Sequence, residues 1–217
     1  RYPVVLQRRP YNRLDGFAGW EDWVQNGFVF IGANGRFGEG RMDFNNRLLR
    51  YRMDPETGAI DPASRAVILE WHSHGHNGLA VAFGNDRMLY MTSGDGTSDC
   101  DEWDTGQDLT RLNAKVLRLD VDNPSGEQLY SVPKDNPFVG QPNMRPETWA
   151  YGFRNPWRMH IDRVTNEIWV GENGQDLWEY ARVIRKGANY GCPIVEGNHE
   201  LQPLRKRGPH PISKALI

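Results

Sequence analysis

Short apolar runs separated by polar, glycine-rich turns dominate the chain, and helical periodicity is scarce. Three runs rich in β-branched and aromatic residues recur: Phe28-Val-Phe-Ile31, Met88-Leu-Tyr-Met91 and Glu167-Ile-Trp-Val170. Each run is followed by a Gly-rich polar turn and then by a segment in which apolar and polar residues alternate. Runs of this kind, bounded by clusters of Gly, Asn and Asp, are typical of β-strands. The sequence therefore predicts an all-β protein.

The strands also repeat as a unit. The alternating segments that follow the apolar runs are Arg47–Arg52, Lys115–Asp120 and Tyr180–Ile184, and the second and third units begin with a further alternating segment at 80–84 and 158–162. Repeated units of about four strands predict a β-propeller, and the alternative is a β-sandwich with coincidental similarity. Because propellers close with about four to eight blades, three units predict part of a larger ring, with about three blades and exposed edges on its terminal blades.

Composition fits a folded protein and removes some classes of function. The 217 residues are 38% hydrophobic and 25% charged and include 8 Trp, 8 Tyr and 8 Phe. The net charge of −2 comes from interspersed charges of both signs, so no basic field indicates nucleic acid. No apolar run approaches the ~20 residues of a membrane helix. Two cysteines, Cys100 and Cys192, are too few for a disulfide scaffold and lack metal-site spacing, and the sequence leaves open whether they pair.

Two segments carry candidate metal ligands. His72, His74 and His76 alternate, which on an extended strand would place three imidazoles on one face, where they could bind zinc or copper. Gly75 and Gly78 make a regular strand doubtful, and the alternative is that one histidine acts while the others are solvated or packed. The acidic loop 94–104 resembles a calcium loop in charge but fails the EF-hand pattern, which favours a solvated loop.

Two further segments suit ligand binding. In Tyr151-Gly-Phe-Arg-Asn-Pro-Trp157, Arg154 and Asn155 precede a proline, and the arginine offers a planar fork of donors for carboxylate or quinone oxygens. In 171–179 a Gly-rich loop contains Gly174 and Gln175, whose backbone carbonyls suit a hard cation such as calcium. The alternatives are a surface arginine before an ordinary turn and a plain blade turn.

Seven motifs together resemble the glucose/sorbosone dehydrogenase family, the soluble quinoprotein sugar dehydrogenases. The similarity is strongest over residues 72–197 and is looser before them, through Gly16–Gly19 and 28–36. The matching segments are His76 with 79–86, then 88–95, 114–120 (AKVLRLD), 133–137 (PKDNP), 149–156 (WAYGFRNP), 171–179 (GENGQDLWE) and 186–193 (KGANYGCP) followed by Glu196-Gly197.

This resemblance implies a six-bladed β-propeller, of which residues 1–217 form a partial domain, with pyrroloquinoline quinone (PQQ) and calcium at the mouth of its central channel. It implies that His76 is the general base that takes the proton of a sugar hydroxyl while hydride leaves the carbon. Arg154 would contact the quinone and stabilise charge on its oxygen, and Asn155 would be a second cofactor contact. The carbonyls of Gly174 and Gln175 would bind calcium.

The resemblance also has departures. Gly75 stands where well-studied members have an acid, Leu14 where a cofactor-contacting Gln is expected, and Cys192 where a Trp is usual. Ala114 and Ala188 replace glycines, and the lysine and arginines that complete the quinone pocket belong to later blades.

Two functions follow from this comparison, and a third is weaker. The first is a periplasmic or secreted PQQ-dependent sugar dehydrogenase, with a sugar substrate and an electron acceptor such as a cytochrome or a soluble mediator. The second is a non-catalytic sugar- or protein-binding propeller module of a larger multidomain protein. The third is a metal-dependent, lactonase-like propeller that uses the three histidines.

Overall fold

A computed structural model of the chain describes residues 27–36, 44–54 and 56–213. Leu14, the segment Gly16–Gly19 and the end of the polar turn after the first apolar run lie outside these residues. The described residues contain strands and turns but no helix, and therefore no helix long and apolar enough to cross a membrane. The all-β prediction is confirmed.

Twelve strands form four antiparallel sheets in the described residues. The first three sheets follow one another along the chain in the orders β1-β2-β3, β4-β5-β6-β7 and β8-β9-β10, and β11 and β12 form a small hairpin. The strands are β1 Phe28–Arg36, β2 Phe44–Met53, β3 Ile60–His72, β4 Gly78–Phe83, β5 Leu89–Ser93, β6 Lys115–Leu119, β7 Thr148–Tyr151, β8 Asn155–Ile161, β9 Ile168–Asn173, β10 Glu179–Ile184, β11 Val195–Glu196 and β12 His199–Glu200.

Successive sheets pack face to face, as the blades of a propeller do. The first strands of the second and third sheets, β4 and β8, lie against each other, and β4 also contacts β1. Sheets that each contact the next through their first strand form an arc around an axis, which is propeller architecture. The predicted fold, about three blades of a six-bladed β-propeller, is confirmed.

The core lies in two layers, one on each face of the second sheet. Residues at alternate positions of its strands, such as Leu89 and Met91, pack against the first sheet, and the residue between them, Tyr90, packs against the third. Successive side chains on a strand point to opposite faces, so a sheet with a neighbour on each side is apolar on both. This explains why β5 and β6 are buried along their whole length.

The structure differs from the prediction in one turn and in four strands that were not predicted. The predicted turn does not begin at Gly32, because β1 continues through Arg36 in register with β2. The unpredicted strands are β3, β7, β11 and β12. Strand β3 is an edge strand that contains Pro62, which lies where its register against β2 shifts, and β7 has only four residues. Proline is tolerated at edges and bulges because no ladder hydrogen bond is lost there.

Candidate active site

His76 lies in an irregular segment, residues 73–77, between the end of β3 and the start of β4. Its backbone is bonded on both sides: its N–H donates to Thr97 O at 2.8 Å, and its carbonyl accepts from Gly96 N–H at 3.2 Å. Its Nδ1 lies 2.9 Å from Asp95 Oδ1. The glycines at 75 and 78 do interrupt the strand, as their positions indicated.

Asp95 lies in the turn that follows β5, and its side chain is completely buried. Its Oδ1 also accepts from the Thr97 backbone N–H at 2.8 Å and the Thr97 hydroxyl at 3.0 Å, and its Oδ2 accepts from Asp101 N–H at 3.2 Å. These donors fix the carboxylate, which can only accept from His76 Nδ1. The neutral tautomer that fits this contact carries its hydrogen on Nδ1 and its lone pair on Nε2, the arrangement a general base requires.

The absence of an acid at position 75 has a steric reason. A Cβ atom at Gly75 would lie 1.8 Å from the carbonyl oxygen of Thr97. The irregular segment and the turn after β5 therefore approach too closely for any side chain at this position. The carboxylate that contacts the candidate base is that of Asp95.

Arg154 immediately precedes β8 and joins the second sheet to the third. Its carbonyl accepts from Asp95 N–H at 2.8 Å, and its own N–H donates to Glu172 Oε1 at 2.7 Å. Its side-chain Nε donates to Gln175 Oε1 at 2.7 Å, and the Gln175 amide donates on to Asp99 at 2.8 Å. This bond uses Nε, and no acceptor among the described residues contacts the two terminal guanidinium nitrogens, whose donors would suit a ligand.

Glu172 forms a buried ion pair beneath Arg154. Its Oε2 lies 2.5 Å from Arg182 Nε, and both side chains are almost entirely buried. The guanidinium of Arg182 stacks over the Tyr180 ring with its Cζ 3.7 Å from the ring centroid. One carboxylate therefore holds both the backbone of Arg154 and a buried arginine.

Asn155 is the first residue of β8 and is buried. Its Oδ1 accepts from Gly78 N–H at 3.3 Å, and its Nδ2 lies 3.4 Å from Asn173 Oδ1. Asn155 thus connects the start of β4 to β9, close to both Arg154 and the segment that carries His76.

The loop after β9 contains Gly174 and Gln175 and wraps around the carboxylate of Glu196. Glu196 Oε1 accepts from the backbone N–H groups of four consecutive residues, at 2.6 to 3.3 Å: Gln175, Asp176, Leu177 and Trp178. Partial burial alone would raise the pKa of Glu196, but these hydrogen bonds outweigh it and lower the pKa. A Cβ at Gly174 would lie 1.8 Å from Trp178 O, so the loop can close only around a glycine.

Comparisons with known proteins identify the family of the chain. The family model described as Glucose / Sorbosone dehydrogenase matches residues 17–210. The chain belongs to this family.

Several relatives in the family share substantial identity with the chain. The HIPL1 protein of Arabidopsis thaliana is 37% identical over 151 residues, which are 65% of this chain and 22% of that protein. The aldose sugar dehydrogenase YliI of Escherichia coli K12 is 33% identical over 120 residues, 55% of this chain and 29% of that protein. The mouse Hedgehog-interacting protein is 37% identical over 155 residues, 68% of this chain and 22% of that protein.

Solved structures of the family superimpose on most of the chain. A glucose dehydrogenase, 25% identical, gives a TM-score of 0.70 over 90% of this chain and 54% of that one. The PQQ-bound aldose sugar dehydrogenase of Streptomyces coelicolor, 26% identical, gives 0.62 over 82% and 47%. The chain therefore spans about half the length of these solved dehydrogenases.

Two features of the chain would fit a quinone and a hard cation. The backbone of Arg154 is bonded to Asp95, the partner of the candidate base, and its planar guanidinium would suit an anionic quinone. In the loop after β9 the backbone N–H groups face Glu196, and no donor among the described residues reaches the carbonyl oxygens of Gly174 or Gln175. Carbonyl oxygens left without donors are suitable ligands for calcium.

The three histidines do not form one site. The rings of His72 and His74 lie 4.7 Å apart and pack on Trp103, whereas His76 turns to Asp95. Across the described residues no cluster of three or more His, Cys, Asp or Glu side chains is suited to hold a metal ion. The weaker, metal-dependent reading of this segment therefore lacks a converged ligand set.

Asp95 and the buried Lys115 were not predicted as site residues from the sequence. Lys115 is fully buried, and its Nζ donates to the carbonyls of Asn113 at 2.6 Å and Thr105 at 3.0 Å. Burial lowers the pKa of Lys115 to about 7. The signal available in the sequence for Asp95 was its place in a Gly-Asp-Gly turn directly after an apolar strand.

Cys100 and Cys192 are both free thiols and both buried. Burial raises the pKa of Cys100 to about 11 and that of Cys192 well above its ordinary value. Because the thiolate is the reactive form, neither cysteine has the character of a nucleophile.

Proposed function

We propose that the full-length protein oxidises the hydroxyl of an aldose-type sugar by hydride transfer to PQQ, with calcium as Lewis acid. The observation that carries this proposal is the contact between His76 and the buried carboxylate of Asp95, whose backbone is bonded to Arg154. A base oriented by a carboxylate, whose backbone is joined to that of an arginine, suits proton abstraction coupled to hydride loss. The family of the chain, with an aldose sugar dehydrogenase among its relatives, supports this function.

In this proposal each residue has a separate task. The Nε2 atom of His76 accepts the proton of the sugar hydroxyl while a carbonyl forms at the same carbon and its hydrogen leaves as hydride. Asp95 holds the ring in the correct tautomer and stabilises the imidazolium that results. The guanidinium of Arg154 orients the acceptor and offsets negative charge on it.

The residues that would hold the cofactors are Arg154 and Asn155 for the quinone and the carbonyls of Gly174 and Gln175 for calcium. Bound PQQ supplies a two-electron acceptor for the hydride, chemistry that no protein side chain provides. Glu196 keeps the calcium loop in shape through its four amide hydrogen bonds. We further propose a periplasmic or extracellular location and a cytochrome or soluble mediator as final electron acceptor.

A titration of the full-length protein with PQQ and calcium, followed by addition of aldoses, tests the proposal. We expect calcium-dependent binding and bleaching of the oxidised quinone absorbance when a suitable sugar is added. A folded, complete protein that fails to bind PQQ in the presence of calcium would contradict the proposal.

A second candidate is a non-catalytic propeller module that binds a sugar or a protein. It is favoured by the similarity to the Hedgehog-interacting protein, whose name states a binding activity. Fold alone does not decide between catalysis and binding. Intact folding combined with no quinone binding in the titration would favour this candidate.

A further inference from the structure

We propose that Asn34 and Asn46, on the first sheet, are positioning residues that lock the segment carrying His76. This inference rests on the proposed function, since it assigns a task to residues around the proposed base. It concerns amide side chains that the family resemblance does not assign. The lock acts through Asn77, the residue that follows His76.

The side chain of Asn77 is held from two directions. Its Oδ1 accepts from Ser73 Oγ at 2.7 Å and from Asn34 Nδ2 at 3.1 Å. The same Asn34 amide lies 3.1 Å from the carbonyl of Ser73 and 3.0 Å from Asn46 Oδ1. A single amide on β1 therefore contacts both ends of the irregular segment that contains His76.

The backbone of Asn77 is held as well. Its carbonyl accepts from Asn46 Nδ2 at 3.0 Å and from Gly94 N–H at 3.3 Å. Asn46 is completely buried in β2, so its amide has no water with which to exchange this bond. The carbonyl of Asn77 thus connects the first sheet with the turn that leads to Asp95.

The local backbone explains why such a lock is useful. Residues 73–77 belong to no strand, and their backbone hydrogen bonds to the turn after β5, such as those of His76 with Thr97 and Gly96, do not form a regular ladder. The proposed base must keep its Nε2 within a fraction of an ångström of the reacting hydroxyl, because misplacement of about 1 Å costs about 10²-fold in rate. The amide network adds rigidity from a neighbouring blade.

The chain offers a matched pair of variants to test the lock. Asn45 precedes Asn46 on the same strand, but its amide donates to Glu70 at 2.8 Å. In the full-length, PQQ-loaded protein we expect Asn46→Ala to lower kcat by about 10- to 100-fold, with KM and PQQ affinity changed by less than about two-fold. We expect Asn45→Ala to leave all three values near those of the wild type. Equal effects of the two variants would overturn the proposal.

A second variant distinguishes loss of the lock from misfolding of Asn46→Ala. A second measurement distinguishes failure of the lock from failure of the proposed function. Asn34→Ala removes the other arm of the lock at a less buried position, and the same selective loss of kcat is expected. NMR of the histidine Nδ1 hydrogen reports the His76–Asp95 contact without any activity. We expect its signal to broaden in Asn34→Ala and Asn46→Ala but not in Asn45→Ala, and an unchanged signal in all three would contradict the lock. A wild type without sugar-dependent quinone reduction would instead contradict the proposed function.

Discussion

The second and third sheets have similar strand patterns but different surroundings. In the second sheet, β5 and β6 are buried throughout, because the first sheet covers one face and the third covers the other. In the third sheet, β9 alternates, with Ile168 and Val170 buried and Trp169 exposed. Strands with apolar residues on both faces belong to a sheet that has a neighbouring sheet on each side. Strands in which buried and exposed residues alternate belong to a sheet that the described residues cover on one face.

The same contrast appears in the candidate site. On the side of the second sheet, His76 and Asp95 contact each other, and the described residues supply three further donors to the carboxylate. On the side of the third sheet, Arg154 Nε donates to Gln175, and no acceptor in the described part of the chain contacts its two terminal guanidinium nitrogens. In the proposed function, the proton-transfer side of the site is therefore held by contacts within the described residues, and the quinone-binding side offers donors to a ligand. Four predictions test this contrast, from the largest expected effect to the smallest.

The largest effect is expected on the organised side, from replacing the proposed base. In the full-length protein, the proposed function predicts that His76→Ala lowers turnover by about 10²- to 10⁴-fold, the usual range for a lost general base. PQQ affinity should change little, because the proposed quinone contacts, Arg154 and Asn155, are separate residues. Steady-state kinetics together with a PQQ titration measure both quantities.

His74→Ala is the matched control for this change. His74 lies two residues earlier, is exposed and packs on Trp103 instead of Asp95. Its replacement should leave turnover within about two-fold, since it removes no group that acts on the reacting hydroxyl. If the two variants lost activity equally, His76 would have no special part in the reaction.

The next effect concerns the stability of the third sheet. Glu172→Gln leaves Arg182 buried without a charge partner and weakens the hydrogen bond to the backbone of Arg154. Breaking a buried ion pair in this way typically costs about 3–5 kcal/mol. The shift of the urea unfolding midpoint, with the slope held constant, measures the loss.

A second ion pair just beyond the ends of the same two strands provides the control. Glu167 immediately precedes β9, Arg185 immediately follows β10, and their side chains lie 3.3 Å apart in a more exposed position. Exposed pairs contribute about 0–1 kcal/mol, so Glu167→Gln should shift the midpoint only slightly. A large loss of stability from Glu167→Gln, or no loss from Glu172→Gln, would show that burial does not determine how much each ion pair contributes to stability.

A smaller effect is expected from the buried lysine of the second sheet. In the folded protein, burial lowers the pKa of Lys115 to about 7, whereas the pKa in the unfolded chain is the ordinary value of about 10.5. Between these values the unfolded state binds more protons, so stability rises with pH. From pH 7 to 8.5 the wild type should gain about 1–2 kcal/mol relative to Lys115→Met. Urea unfolding at the two pH values measures this, and a constant difference between the proteins would show that Lys115 does not titrate in this range.

Much of this fold could be predicted from the sequence, because alternation and turn residues act locally. The apolar runs and the segments after them correspond to strands β1, β2, β5, β6, β9 and β10. Strand β3 was missed because Pro62 and polar residues obscure its alternation, and it is stabilised by pairing with β2 instead. That pairing depends on residues distant in sequence, which no local pattern contains.

The site was predictable only in part, for a similar reason. Motifs identified His76 and Arg154, but Asp95 and Glu172 are their partners only after the chain folds. Nineteen residues separate His76 from Asp95, and eighteen separate Arg154 from Glu172. What fixes the orientation of the base and of the arginine is this long-range pairing.

The smallest effect is expected at the uncovered face of the third sheet. Trp169 is 42% exposed on β9, directly beside the buried Val170. In the 217-residue chain, Trp169→Gln should change the free energy of unfolding by less than about 0.5 kcal/mol, because surface substitutions away from packed neighbours have small effects. Urea unfolding of the chain and of the variant measures the difference. A loss of about 2 kcal/mol or more would mean that the Trp169 ring is packed in solution. The third sheet would then be covered on both faces, as the second sheet is, and the contrast between the two sheets would be wrong.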